Sequence, residues 1–269
     1  MMRIASTFVL SIAALAGCAG LDTSSTAQES HSWGGYHWAR SSNPVALQVG
    51  DNVTSAWDSY LNTTISDWDK STVLSLTKVA GSATTKKCSP TLGRIEVCNS
   101  TYGNNGWLGI ASIWLTSGTL HISQATTKLN DSYFNTATYN TPAWRNLVSC
   151  QEVGHDFGLD HQDTNFNNAN LGTCMDYTND PSTNQHPNQH DYDELSTIYS
   201  HTDAAIAPGL AAAADTVLDG DAETPEKWGE IISESADGRG SMYMRRDGEG
   251  NTIITHVSWV PGFQHGAPQ

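Results

Sequence analysis

Basic residues are scarce in this chain of 269 residues. Its 13 lysines and arginines are outnumbered by 28 aspartates and glutamates, which gives a formal net charge of −15. Proteins that bind nucleic acid need clustered Lys and Arg side chains to neutralise phosphates. The sequence therefore predicts no nucleic-acid partner.

Long apolar runs are missing as well. Nothing in the chain reaches the roughly 20 consecutive apolar residues of a membrane-spanning helix. The composition is nevertheless that of a globular protein, with 38% hydrophobic residues and 9 tryptophans. At this length we expect one substantial domain with a sizeable core, plus a smaller appendage.

The N-terminus has the features of an export signal. Arg3 precedes a short apolar stretch at 4–16, and this stretch ends in Leu15-Ala16-Gly17-Cys18. These last residues resemble the lipobox of bacterial lipoproteins, which implies cleavage before Cys18 and lipidation of its thiol. We expect an exported cell-envelope lipoprotein, held at the outer membrane or at the outer face of the plasma membrane by this lipid anchor. An ordinary cleaved signal, with an extracellular product, is the alternative.

Cysteine is rare, and its number fits export. Besides Cys18 there are four cysteines, which allow three disulfide connectivities. Proximity favours a Cys88–Cys98 bond, and Cys150–Cys174 then follows by elimination. Free buried thiols are the alternative, although an oxidising compartment favours disulfides.

Composition also divides the chain into segments. Residues after Cys18 are rich in Ser, Thr, Ala and Gln, which is typical of a flexible tether. We expect a signal peptide (1–17), a tether (18–32), a main domain (33–203), an Ala-rich linker (204–222) and a small β-rich C-terminal segment (223–269). About 40 residues of short strands cannot hold a core alone, so the last segment is expected to pack on the main domain.

Hydrophobic periodicity predicts the elements of the main domain. Helical spacing is found at 52–68 and 190–201. A third helix begins with a cap residue and a proline, Thr141-Pro142, and Gly158 is placed to end it after Phe157. Strand-like runs occur at 45–49, 73–79, 94–98, 108–115 and 119–123.

The third helix carries the residues with the clearest chemistry. Gln151 and His155 are one turn apart on one face, where two side chains can hold one metal ion. Gly158 permits a left-handed turn that would bring His161 round as a third ligand. Glu152 lies between the first two ligands, placed to take a proton from water at the metal.

This run, from Gln151 to His161, resembles the metzincin signature HExxHxxGxxH at every specified position except the first, where Gln151 replaces His. A second motif follows: Gly172-Thr173-Cys174-Met175-Asp176-Tyr177 looks like the metzincin Met-turn. Tyr177 matches the tyrosine found two residues after the methionine in the astacin and serralysin branches. The resemblance covers roughly 33–201, and the C-terminal segment is outside it.

The resemblance implies a fold and an activity. The fold would be α+β, with a twisted, mostly parallel N-terminal sheet, an active-site helix, the Met-turn and a C-terminal helix, followed by a small β appendage. Residues 109–123 would include the substrate-binding edge, and 33–203 would be a catalytic domain. The activity would be that of a zinc-dependent endopeptidase acting on extracytoplasmic proteins or peptides.

The resemblance also implies the roles of the site residues. His155, His161 and Gln151 would hold Zn²⁺, and Met175 would pack beneath it without ligating it. Glu152 would be the general base, and Tyr177 would stabilise the oxyanion together with the metal.

The glutamine leaves the function open, because an amide is a poorer zinc donor than an imidazole. One hypothesis is a working endopeptidase with a Gln–His–His site, completed by Tyr177. A second is a catalytically inactive binding module with the same fold on the cell envelope, and a third is a structural envelope lipoprotein. Five other histidines are expected to be structural or surface groups, although any one of them is a possible replacement ligand: His37, His121, His186, His190 and His201.

Overall fold

A computed structural model describes residues 30–203, 224–248 and 250–263. The predicted signal peptide, Cys18 and the Ala-rich linker lie outside the described residues. Within those residues, no helix is long and apolar enough to cross a membrane. The described chain builds one mixed β-sheet with a few helices, so the predicted α+β class is confirmed.

Within the described ranges, the sheet has nine strands. Their order across the sheet is β3-β2-β4-β6-β5-β9-β8-β7, and β1 pairs with β6. The strands are β1 (His37–Trp38), β2 (Val45–Asn52), β3 (Leu74–Ala80), β4 (Arg94–Ser100), β5 (Trp107–Leu115), β6 (His121–Asn130), β7 (Glu230–Glu234), β8 (Gly240–Arg246) and β9 (Thr252–Trp259).

The helices are short apart from three. In chain order, the helical segments are α1 (Asp58–Trp68), α2 (Asp131–Phe134), α3 (Pro142–His155), a 3₁₀ turn (Pro181–Thr183), α4 (Gln189–Ile198) and α5 (Pro225–Trp228). The start of α3 is as predicted, because the Thr141 side chain accepts the N–H of Trp144 and Pro142 is in the first turn. The helix predicted at 52–68 begins only at Asp58, since Asn52 still belongs to strand β2.

Contacts on two sides hold helix α3 in place over the sheet. On one side it packs on α1, where the hydroxyls of Thr64 and Ser149 are 2.8 Å apart and the Trp68 indole donates to the Cys150 carbonyl. On the other side it lies across β5 and β6, and Leu147, Val148 and Val153 are buried there. Each such aliphatic side chain stabilises the fold by about 1.5–3 kcal/mol when it leaves water. The helix that carries the metal-site motif is therefore held firmly.

The relative direction of the strands changes halfway across the sheet. Strands β1, β2, β3, β4 and β6 run parallel to one another. Strand β5 runs antiparallel to β6, and β9, β8 and β7 continue the antiparallel part. The mostly parallel description thus holds for the first half, and the whole sheet is mixed.

Strand β5 is not the free edge that the sequence led us to expect. It pairs with β6 on one side and, from Trp107↔Trp259 to Leu115↔Thr252, with β9 on the other. Its composition fits an interior position: the strand reads WLGIASIWL and is buried almost throughout, as is usual for a strand with both faces covered. The C-terminal strands therefore continue the main sheet and cover the predicted substrate-binding edge.

Candidate metal centre

The end of α3 places two histidines side by side. The helix stops after His155, and Gly158 then adopts φ +92°, the left-handed conformation predicted for it. A Cβ on this glycine would lie 1.9 Å from the Tyr36 carbonyl oxygen, so any other residue would clash with the backbone. The chain reverses direction at this glycine, which brings His161 next to His155. The centroids of the two rings are 4.6 Å apart.

A third imidazole comes from the C-terminal strand β9. The ring of His256 lies 4.1 Å from that of His155 and 4.8 Å from that of His161, measured between centroids. One candidate ligand atom from each of the three side chains lies within 4.8 Å of the other two. All three residues are buried. The described residues thus bring a three-histidine group together, with His256 as a member that sequence reasoning missed.

Hydrogen bonds orient two of the three rings. The Nδ1 atom of His155 is 2.8 Å from the Leu159 carbonyl oxygen, which can only accept, so Nδ1 carries the proton and Nε2 is bare. In His161, Nδ1 is 3.2 Å from Asp160 Oδ1, which has the same effect. Both Nε2 atoms are buried and have no hydrogen-bond partner among the described residues. Metal-binding histidines show this arrangement, in which the second nitrogen is held by an oxygen and the first is free for the ion.

The three imidazoles are kept neutral, as metal ligation requires. Burial lowers the pKa of His155 well below its usual value, and His256 and His161 lower it further. Burial and His256 act in the same way on the pKa of His161. Burial also lowers the pKa of His256, to about 4. At neutral pH each ring can therefore offer a lone pair.

Glu152 lies next to this group with no exposure to solvent. Its Oε2 is 3.1 Å from Nδ1 of His256, and its Oε1 accepts the Ser258 hydroxyl at 2.7 Å. Burial raises the pKa of Glu152 to about 7, against the lowering effects of His155 and of hydrogen bonds from Ser258 and the Ala111 backbone. A carboxyl group with this pKa suits proton transfer near neutrality.

Gln151, the predicted first ligand, is engaged by the protein at both ends of its amide. Its Nε2 donates to the Cys174 carbonyl at 2.9 Å, and its Oε1 lies 3.1 Å from the Ser258 hydroxyl, whose single proton is shared with the closer Oε1 of Glu152. These contacts tie the helix to the Met-turn segment and to strand β9. The amide is thus a structural link between three parts of the chain.

The Met-turn segment packs directly beneath the helix. Met175 is buried, and a Cβ added at Gly154 would lie 2.6 Å from its Sδ, so only glycine permits this approach. The Cys150–Cys174 disulfide joins the same two segments, and the Cys88–Cys98 disulfide joins the segment before β4 to β4 itself. Both predicted bonds are thereby confirmed.

Tyr177 faces the histidines from the far side of this turn. Its hydroxyl is 3.1 Å from Nε2 of His256, and its ring lies 4.0 Å from the His161 ring, between centroids. A cavity of about 100 Å³ reaches these three side chains. Its opposite wall is formed by the β7–β8 hairpin, around Ser235 and Gly240. This cavity borders two of the three histidines, His161 and His256.

The five other histidines lie elsewhere. His186 pairs with Asp67, and His190 stacks on His31. His37, His121 and His201 gather around Asp203. A sequence signal for His256 did exist, because it stands in the apolar strand Ile253-Ile254-Thr255-His256-Val257. It was not connected with the site because that strand follows the Ala-rich segment.

No protein-family model matches this sequence, and no curated protein matches it. Among solved structures, the chain is similar to high choriolytic enzyme 1, a hatching enzyme zinc-protease from Oryzias latipes (Medaka fish). The alignment covers 61% of this chain and 94% of that chain, at 10% sequence identity and a TM-score of 0.33. A likeness of this size does not assign an activity, so the function is inferred from the site itself.

Proposed function

We propose that this protein is a zinc-dependent peptidase whose metal is held by His155, His161 and His256. The observation that carries the proposal is the convergence of three buried, neutral imidazoles, two with a bare and unpartnered Nε2, beside a buried carboxyl group. Three imidazoles are a donor set that zinc favours in catalytic sites, where a fourth position stays open. His256 takes the place that the sequence alone suggested for Gln151.

The other residues at the centre have separate roles in the proposed hydrolysis. Zinc bound there would polarise the scissile carbonyl and lower the pKa of the attacking water toward ~7. Glu152 accepts the proton from that water and passes it to the leaving amine. The Tyr177 hydroxyl donates to the developing oxyanion. Gln151 keeps the Cys174 carbonyl and the Met-turn in place beneath the ligands.

The substrate class and the location belong to the same proposal. Substrates are proteins or peptides outside the cytoplasm, and the chain is tethered to a membrane through lipid on Cys18. The N-terminal signal and the two disulfides support export, since disulfides persist in oxidising compartments. Mass spectrometry of the mature N-terminus tests the anchor, and an unmodified start downstream of Cys18 would exclude it.

A second candidate function is a binding module that holds the metal but performs no hydrolysis. Two observations favour it. Strand β9 covers the side of β5 along which an extended peptide would pair. Both carboxyl oxygens of Glu152 already have partners within the protein. Oε1 accepts the Ser258 hydroxyl, and Oε2 faces Nδ1 of His256.

The experiment that separates these functions measures zinc content and casein hydrolysis for the parent and three variants. Under the peptidase proposal, Glu152→Gln keeps its zinc and loses hydrolysis, whereas His256→Ala loses hydrolysis and one equivalent of zinc. Thr255→Ala is the matched control, because Thr255 is the neighbouring buried residue on β9 and its hydroxyl contacts Ser112, away from the histidines. It should retain both zinc and hydrolysis. A parent that binds zinc but hydrolyses nothing supports the binding module, and a parent that binds no zinc contradicts both functions.

A further inference from the structure

A second group of metal-ligand side chains lies away from the centre described above. His37 belongs to strand β1, and His201 and Asp203 follow helix α4. Nε2 of His201 is 3.2 Å from Nε2 of His37. Oδ1 of Asp203 is 3.4 Å from the first of these nitrogens and 3.6 Å from the second. The three ligand atoms therefore form a nearly equilateral triangle.

The size of this triangle matches a metal site. Zinc binds nitrogen and oxygen ligands at about 2.0–2.1 Å with tetrahedral geometry, so neighbouring ligand atoms are about 3.3 Å apart. The three observed separations are 3.2, 3.4 and 3.6 Å, close to this value on every side. One ion above the triangle can thus contact all three atoms without rearrangement of the backbone.

The orientation of His37 is already fixed for ligation. Its Nδ1 lies 2.8 Å from the Gly35 carbonyl oxygen, so the proton resides on Nδ1 and Nε2 has a free lone pair. That lone pair faces the Nε2 of a second imidazole. In the neutral state one of the two nitrogens must act as donor to the other, whereas a bound cation satisfies both.

The carboxylate is held in position by the backbone around Arg40. The Asp203 N–H donates to the Arg40 carbonyl at 2.8 Å, and Asp203 Oδ2 accepts the Arg40 N–H at 2.9 Å. The Arg40 side chain in turn donates to the His201 carbonyl. Nε2 of His121 lies 3.1 Å from Asp203 Oδ1. His121 is outside the triangle, and this contact orients the carboxylate. Such outer partners are a regular feature of metal sites.

From this geometry we propose that His37, His201 and Asp203 bind a divalent transition-metal ion, with zinc as the natural occupant. Two imidazoles and one carboxylate suit zinc and its neighbours in the first transition row better than calcium or magnesium. The site opens to solvent, since the His201 side chain is 52% exposed, so water completes the coordination. The ion fastens strand β1 to the end of the segment that follows α4. This second site is independent of the proposed peptidase activity.

The test is a count of zinc ions per chain in the full-length protein after equilibration with zinc and removal of the excess. We expect His201→Ala to lose one equivalent relative to the parent. His186→Ala is the matched control, because that side chain is 54% exposed and also pairs with an aspartate, Asp67. It should lose none. Equal zinc counts in His201→Ala and the parent would overturn the proposal and leave a hydrogen-bonded cluster around Asp203.

A second measurement distinguishes zinc binding at the two sites. In a His256→Ala background the first centre is impaired, and chelator competition then reports mainly on the second. Asp203→Asn in that background exchanges a carboxylate for a poorer amide donor, and it should weaken zinc binding at least tenfold. Unchanged affinity in this variant would count against the proposal even if the first centre proved empty. Cobalt(II) absorption, recorded with and without the His201→Ala change, provides the same contrast without reference to hydrolysis.

Discussion

Single residues decide which side chains hold the metal, and Gln151 is the most informative. Its amide bridges the Cys174 carbonyl and the Ser258 hydroxyl, so Gln151→Ala should keep zinc affinity close to that of the parent. The variant should lose about 1–3 kcal/mol in the free energy of unfolding, because the buried Cys174 carbonyl is left unsatisfied. Competition with a chelator and urea denaturation measure the two effects. A tenfold or greater loss of zinc affinity would instead identify Gln151 as a ligand.

Glu96 permits a prediction about acid stability that is remote from the metal. Burial raises its pKa, but hydrogen bonds from Arg94, Thr91, Asn52 and Ser82 outweigh this effect, and the net pKa lies below the usual value of 4.5. A lowered pKa stabilises the folded state above the pKa of the unfolded chain, and this stabilisation is lost as the pH falls through the folded pKa. Glu96→Gln should therefore lower the free energy of unfolding by about 2 kcal/mol at pH 7.

The difference between Glu96→Gln and the parent should shrink as the pH falls below 4.5. Urea denaturation at pH 7 and at pH 3 measures it. Glu230→Gln, an exposed change on strand β7, is the control and should behave as the parent does at both pH values. A gap of the same size at the two pH values would show that Glu96 acts through its shape and not through its charge.

At the scale of elements, the Cys150–Cys174 disulfide couples helix α3 to the Met-turn. The two cysteines are 24 residues apart in sequence, and a loop of that size gains roughly 3 kcal/mol of stability in the chain-entropy estimate. Replacing both with alanine should lower the unfolding free energy by an amount of this order. It should also weaken zinc binding, because the segment that carries Met175 is then no longer joined covalently to α3. Double replacement of Cys88 and Cys98 is the control, and it should leave zinc affinity unchanged.

The elements also show which features the sequence makes predictable. Helix α3 was predicted from its own residues, because Thr141, Pro142 and Gly158 are local signals for its start and end. Strand β9 has no such signal for its place in the sheet. Its partner β5 lies about 140 residues earlier, and pairing at that distance depends on complementary apolar surfaces that only the folded chain reveals. For this reason the sequence predicted two members of the three-histidine group, His155 and His161, and missed His256.

At the scale of the whole molecule, the proposed metal should link the region of helix α3 to the antiparallel half of the sheet. His155 and His161 come from the region of α3, and His256 comes from the antiparallel half. A ligand that binds only the folded state stabilises it by about 2.7 kcal/mol when its concentration is 100 times the dissociation constant. Removal of zinc with a chelator should therefore lower the melting temperature. Amide hydrogen exchange should increase most in β9 and β8, and an unchanged pattern would mean that no ion joins β9 to the region of α3.

The position of His256 has a consequence for how the protein is made. Along the chain it follows His161 by 95 residues (256 − 161), so the two histidines near α3 leave the ribosome long before the third. During that interval the nascent chain has only a partial donor set, which binds zinc weakly compared with three imidazoles. The three-histidine group is complete only after β9 has been translated and has paired with β5. Zinc bound at this proposed centre would consequently report the fraction of molecules in which β9 has paired with β5.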